Sequence, residues 1–83
     1  MIPRIETPEQ VSAVVKHMSY PPFGDRGVAT YNRSAKWGRD LSGLTQKSNA
    51  ACIIQIETLK ALGNVEAIAK IDGVDLLFVG PLD

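Results

Sequence analysis

The sequence predicts an α/β fold built from parallel strand–helix units, and two observations lead there. Short apolar runs that read as strands recur at near-regular intervals, beginning near residues 1, 26, 51 and 75. Between them lie stretches that read as helix, so each strand is followed by a helical crossover rather than a tight hairpin. The order is β-α-β-α-β-α-β across residues 1–83. Such a series is about half of an eight-stranded β/α barrel, and it also suits a small open sheet.

Met1-Ile2-Pro3-Arg4-Ile5 is the tail of a short strand. Thr7-Pro8-Glu9-Gln10 then starts a helix. Thr7 caps it, Pro8 suits the first helical position, and Gln10 completes a capping box. Val11, Val14, Val15 and Met18 give the helix one apolar face. It stops before Tyr20-Pro21-Pro22, because proline lacks a donor and restricts the residue before it. Gly24-Asp25-Arg26-Gly27 is a turn into Val28-Ala29, a weak short strand. Residues 31–38 follow neither period and read as a loop carrying Arg33, Lys36 and Trp37. Asp40 caps a helix running to about Ser48, with Leu41 and Leu44 facing inward. Ala50–Ile56 is a near-continuous apolar run, as expected of a strand covered on both faces. Leu59, Leu62, Val65, Ile68 and Ala69 mark a helix that breaks at Gly63-Asn64. Gly73 punctuates, and Val74–Val79 is the last strand.

Composition narrows the function. Apolar residues make up 45% of the chain, which argues for a packed core. Nine basic residues balance nine acidic ones, so there is no electrostatic reason to expect nucleic acid or an anionic membrane surface. No apolar run approaches a membrane span and no signal peptide is visible. The single cysteine, Cys52, lies in an apolar run and is expected to be buried. A reducing, cytoplasmic setting fits this composition.

The chemistry lies in two strings, Gln55-Ile56-Glu57-Thr58 and Phe78-Val79-Gly80-Pro81-Leu82-Asp83. Each puts a carboxylate just past an apolar strand. If those strands are parallel neighbours, Glu57 and Asp83 open onto one edge of the sheet. Two convergent carboxylates there suit a hard divalent cation, the bland alternative being a pair of solvated strand-end carboxylates. Gln55 alternates with Glu57 and so shares its face, either as an inward polar residue or as a substrate contact. Arg26 suits an anionic group or a structural role equally, while Arg4 is expected in an ion pair. His17 sits near a helix end, where it complements the helix dipole rather than acting as a base. Tyr31 and Trp37 suit the mouth of a site or a subunit contact. Asp72 and Asp75 flank the N-terminal entry to the last strand and read as structural.

Several stretches together resemble one family. They are Ile2-Pro3-Arg4-Ile5-Glu6-Thr7, Tyr20-Pro21-Pro22-Phe23-Gly24-Asp25-Arg26-Gly27, Asn49, Gln55-Ile56-Glu57-Thr58, and Gly73-Val74-Asp75 through Gly80-Pro81-Leu82-Asp83. In this order and spacing the chain resembles the HpcH/HpaI aldolase/citrate lyase family along its whole length. The resemblance implies a metal-dependent (class II) aldolase on a TIM barrel, cleaving a 4-hydroxy-2-oxo acid into pyruvate and an aldehyde. It implies Glu57 and Asp83 as the ligands of the ion, Gln55 as a contact to the oxo acid, and the backbone at Leu82-Asp83 as the holder of its carboxylate. At Leu82 the family often has Ala or Ser instead. Cleavage leaves negative charge on the oxygen of a pyruvate enolate, and a divalent cation chelated by the oxo acid stabilises it. All-oxygen ligation favours Mg²⁺ or Mn²⁺, with Co²⁺ also suitable.

The resemblance also bears on extent. A barrel of this kind runs to roughly 250 residues, and residues 1–83 match about strands four to seven of it. The family's histidine base and its arginine are implied to lie upstream, so no catalytic residue is expected within this chain. A catalytically inert fragment that keeps the metal ligands is the first alternative. A citrate-lyase-like acyl-CoA lyase is the second, and the YPPxGxRG and QIE wording favours the aldolase. The expected partners are a small-molecule oxo acid and further copies of the chain, because open sheet edges recruit other strands. Nucleic acid and membrane are not expected.

Overall fold

The computed structural model describes residues 1–40, 42 and 50–81. The chain forms two compact units. One is made of Met1–Val15 with the stretch from Ala51 onward, the other of Lys16–Ala50.

Helix α1 spans Pro8–Met18, and its start follows the local chemistry. The Gln10 N–H donates to Thr7 Oγ1 (3.3 Å), while Gln10 Oε1 accepts from the N–H groups of Glu6 (2.8 Å) and Thr7 (3.2 Å). The orphan donors of the first turn are thereby satisfied reciprocally. Val11 is fully buried, and Val14, Val15 and Met18 are half-buried on the same stripe.

Strand β1 (Ile53–Ile56) and strand β2 (Leu76–Val79) pair in parallel, with Ile53 opposite Leu76 and Ile56 opposite Val79. On its other side β1 meets Ile2. The Ile2 N–H donates to the Ile53 carbonyl (2.8 Å), and the Ile2 carbonyl accepts from the Gln55 N–H (3.0 Å). The parallel α/β class follows, as does the expected adjacency of the last two strands. Between the two strands lie α2 (Leu59–Gly63) and α3 (Val65–Ala69), split at Asn64 as the Gly63-Asn64 pair suggested. Thr58 caps α2 by accepting the Ala61 N–H (3.1 Å).

Three expectations change. Val28-Ala29 forms no strand. Ile2 bonds directly to β1, so no strand lies between them in the sheet. Ala50–Ile56 is not covered on both faces: Cys52, Ile54 and Ile56 are buried, but Ile53 and Gln55 only half so. The apolar face of α2 and α3 is carried by Ala61 and Ile68, both fully buried, whereas Leu59 is 87% exposed. Each of the two short helices thus buries one residue. The helix expected from Asp40 to about Ser48 lies almost wholly outside the described residues.

The entry to β2 is fixed by side chain and backbone together. The Cys52 N–H donates to Asp75 Oδ2 (2.7 Å), and the Cys52 carbonyl accepts from the N–H groups of Asp75 (2.9 Å) and Leu76 (3.3 Å). Asp75 is therefore structural, as expected. Burial pushes the Cys52 thiol above its ordinary value, and the charge of Asp75 adds to the shift. Gly73 has φ +101°, and a Cβ there would meet Val15 Cγ1 at 2.5 Å. Only glycine meets both demands.

In the second unit, Tyr20 and Ala35 are buried together. The Arg26 guanidinium lies over the Tyr20 ring, 4.7 Å from its centroid, which gives this arginine a structural role. His17 Nδ1 and Lys16 Nζ meet the Asp25 carboxylate at 2.9 and 3.3 Å. Burial pushes the Asp25 carboxyl up, but the hydrogen bonds and charges of His17 and Lys16 outweigh it and leave it below its ordinary value. Residues 33–38, expected as loop, form short 3₁₀ turns broken by left-handed backbone at Lys36 (φ 49°) and Trp37 (φ 60°), the first capped by Asn32.

Two outcomes follow. Gly73→Ala, placed in a full-length barrel carrying this segment, is expected to lower the unfolding free energy by about 2–4 kcal/mol, the cost of a left-handed alanine plus overpacking against Val15. Urea titration measures it, and an unchanged midpoint would refute the packing argument. As an isolated polypeptide, the chain is expected to associate, because Leu76, Phe78 and Val79 of β2 are 50%, 47% and 65% exposed. Light scattering reads the mass, and a cooperatively folded monomer would contradict this.

Candidate functional site

The parallel pairing brings the C-terminal ends of three strand segments to one edge of the first unit. Residue 4 follows the Ile2 bridge, residue 57 follows β1, and residue 80 follows β2, with the Gly80 N–H donating to the Ile56 carbonyl (2.9 Å). In parallel α/β sheets this edge is where sites form.

Glu57 is half-buried there, with both carboxylate oxygens held. Its Oε1 accepts from Gln55 Nε2 at 3.0 Å. Its Oε2 accepts from the Arg4 backbone N–H at 2.7 Å. The sequence-predicted pair Gln55 and Glu57 is thus together on one face of the strand, as the two-residue alternation requires. Gly80 closes the edge. A Cβ at this position would stand 2.8 Å from Gln55 Nε2 and 3.4 Å from Glu57 Cγ, so a side chain here would displace the Gln55 amide. Leu82 and Asp83, the other predicted site residues, lie outside the described residues.

The donor set is compatible with a hard cation. An ionised carboxylate offers about four acceptor positions, and two of those on Glu57 are used by N–H donors. The rest remain for an ion that prefers oxygen. Among the described residues no group of three or more His, Cys, Asp or Glu side chains is placed to hold a metal ion by itself. Glu57 would therefore have to act with a second ligand, the role the sequence assigns to Asp83.

Arg4 is the residue that the sequence reading missed. It makes no ion pair among the described residues. Its contribution is its backbone N–H, presented at φ 53°, and nothing in an arginine side chain signals a left-handed backbone. Nearby contacts brace the same segment: Asn64 Nδ2 donates to the Glu6 carbonyl (2.8 Å), and Lys60 Nζ pairs with Glu6 Oε2 (3.4 Å). His17 Nδ1 is engaged with Asp25 Oδ1.

Comparison with known proteins agrees with these features. A family model described as HpcH/HpaI aldolase/citrate lyase matches residues 1–83. A 4-hydroxy-2-oxovalerate aldolase of Novosphingobium aromaticivorans is 45% identical over 84 aligned residues, covering 100% of this chain and 32% of the relative. A 2-dehydro-3,6-dideoxy-6-sulfogluconate aldolase of Pseudomonas putida is 46% identical, covering 100% of this chain and 33% of the relative. A crystal structure of an HpcH/HpaI aldolase/citrate lyase family protein from Burkholderia cenocepacia J2315 superposes with a TM-score of 0.89 at 40% identity. That match covers 98% of this chain and 34% of the other. The chain thus spans about a third of the length of the relatives it matches. With sequence, fold and strand-edge residues in agreement, the chain belongs to the HpcH/HpaI aldolase/citrate lyase family.

Proposed function

We propose that a full-length barrel carrying this segment is a class II aldolase that cleaves a 4-hydroxy-2-oxo acid into pyruvate and an aldehyde, with a divalent cation at Glu57 and Asp83. The observation that carries this reading is the Glu57 carboxylate at the sheet edge, held on both oxygens by Gln55 and Arg4. The aldolase names of the relatives support this branch over an acyl-CoA lyase. The segment contributes strands from the middle and later part of the barrel.

When bound, Mg²⁺ or Mn²⁺ supplies a Lewis acid that stabilises negative charge on the oxo oxygen of the substrate. The chain's own residues do the positioning. Glu57 supplies one anionic oxygen ligand and Asp83 the second, which leaves positions open for the oxo acid. The Gln55 amide has two N–H donors, of which one is given to Glu57; the other meets no acceptor among the described residues and suits an oxo-acid oxygen. Gly80, lacking a side chain, leaves that amide in place. The backbone at Leu82-Asp83 holds the substrate carboxylate. The base is supplied from outside this segment. The substrate is a small oxo acid, and the working form is a homo-oligomer.

Glu57→Gln and Asp83→Asn in a full-length barrel carrying this segment test the assignment. Each is expected to weaken Mn²⁺ binding roughly tenfold or more, at least the loss seen when the supporting partners of a metal ligand are removed. Calorimetric titration reads the affinity, and pyruvate release should fall with it. Affinity unchanged in both variants would refute the ligand assignment.

A further inference from the structure

We infer that Arg4 is a positioning residue whose backbone N–H, turned inward by a left-handed backbone, aims the Glu57 carboxylate at the ion. The inference rests on the reading of Glu57 as a metal ligand and adds a residue that the reading does not contain.

The starting point is an outlier. Arg4 has φ 53°, a conformation that L-residues other than Asn and Asp rarely adopt. Such strain persists only where the surroundings over-determine it, and the inference runs from the outlier to a role. The side chain offers no explanation, being exposed and without an ion pair among the described residues. The backbone does. Its N–H meets Glu57 Oε2 at 2.7 Å, within the range of a charge-assisted hydrogen bond.

The flanks show how the turn is imposed. On one side, Ile2 is pinned to β1 through Ile53 and Gln55. On the other, Ile5 is buried at 7% exposure and Glu6 is tied by Asn64 and Lys60. Between these anchors the chain must leave the strand, and the left-handed residue points its N–H back to the neighbouring strand end. Gln55 holds the opposite oxygen at 3.0 Å, so the carboxylate cannot rotate freely. A ligand fixed by two donors binds an ion without first losing rotational freedom, which is the usual task of outer partners at a metal centre.

The test separates backbone from side chain. In a full-length barrel carrying this segment, Mn²⁺ affinity is measured by calorimetry for Arg4→Gly, Arg4→Asn and Arg4→Val. Glycine and asparagine accept a positive φ and should keep the parent affinity, although both remove the guanidinium. Valine resists it, and its affinity should fall about tenfold. A role carried by the guanidinium would not produce this ranking, and a merely structural role would leave the exchange of the Arg4 amide independent of Glu57. An Arg4→Val protein with parent affinity overturns the proposal, and so does loss of affinity in the glycine and asparagine variants. Should the valine variant not fold, hydrogen exchange decides. The Arg4 amide should be protected in the parent and exchange faster in Glu57→Ala, and equal rates overturn the proposal. Unchanged Mn²⁺ affinity in Glu57→Gln sinks the metal reading itself, which is a separate result from either Arg4 outcome.

Discussion

Strand β1 is hydrogen-bonded on both sides, to Ile2 and to β2, and the arrangement of the first unit depends on that double pairing. The parallel register is anchored at one end by the reciprocal bonds of Cys52 with Asp75 and continued at the other by the Gly80 N–H on the Ile56 carbonyl. With the register set, Ile54 and Ile56 turn into the core while Gln55 and Glu57 turn to the opposite face. A slip of one residue would exchange those faces, burying the amide and the carboxylate and exposing the isoleucines. Core packing and site geometry are therefore one constraint.

The polar interactions of the chain differ sharply in what they do. Lys16, His17 and Asp25 form an exposed cluster, Lys60 pairs with the half-buried Glu6 at the surface, and such pairs contribute little to stability. The bonds that decide geometry run from backbone N–H groups to carboxylates: Cys52 to Asp75, and Arg4 to Glu57, each at 2.7 Å. Backbone donors are rigid where lysine side chains are not, so they can hold a carboxylate in one orientation without ordering a long flexible chain. Asp75 uses such a bond to fix strand register. Glu57 uses one to be oriented, and among the described residues only Arg4 and Gln55 donate to its carboxylate.

Glycine has two jobs in the same unit. At Gly73 the backbone must take a positive φ while passing against Val15. At Gly80 φ is not the issue; the constraint is the Gln55 amide, which occupies the space a Cβ would need. One glycine lets the chain enter β2, and the other lets β2 end beside the functional face of β1.

What the sequence determined by itself was local. The Thr7-Pro8-Glu9-Gln10 box, the break at Gly63-Asn64 and the two apolar strands were all legible, because caps, breakers and apolar runs act over a few residues. The placement of Gln55 and Glu57 on one face was legible for the same reason. Tertiary structure decided the rest. Val28-Ala29 has the composition of a strand but no place in the sheet, since Ile2 already occupies the edge of β1. Residues 33–38 lack a sequence period yet close into short 3₁₀ turns kinked at Lys36 and Trp37, under the Asn32 cap. Arg4 carries no sign of its left-handed backbone, which arises only because Ile2 is bonded to β1 and Ile5 is buried beyond it. A dihedral imposed by anchors some fifty residues apart in the chain cannot be read from the residue that bears it, because the forces that set it are not local.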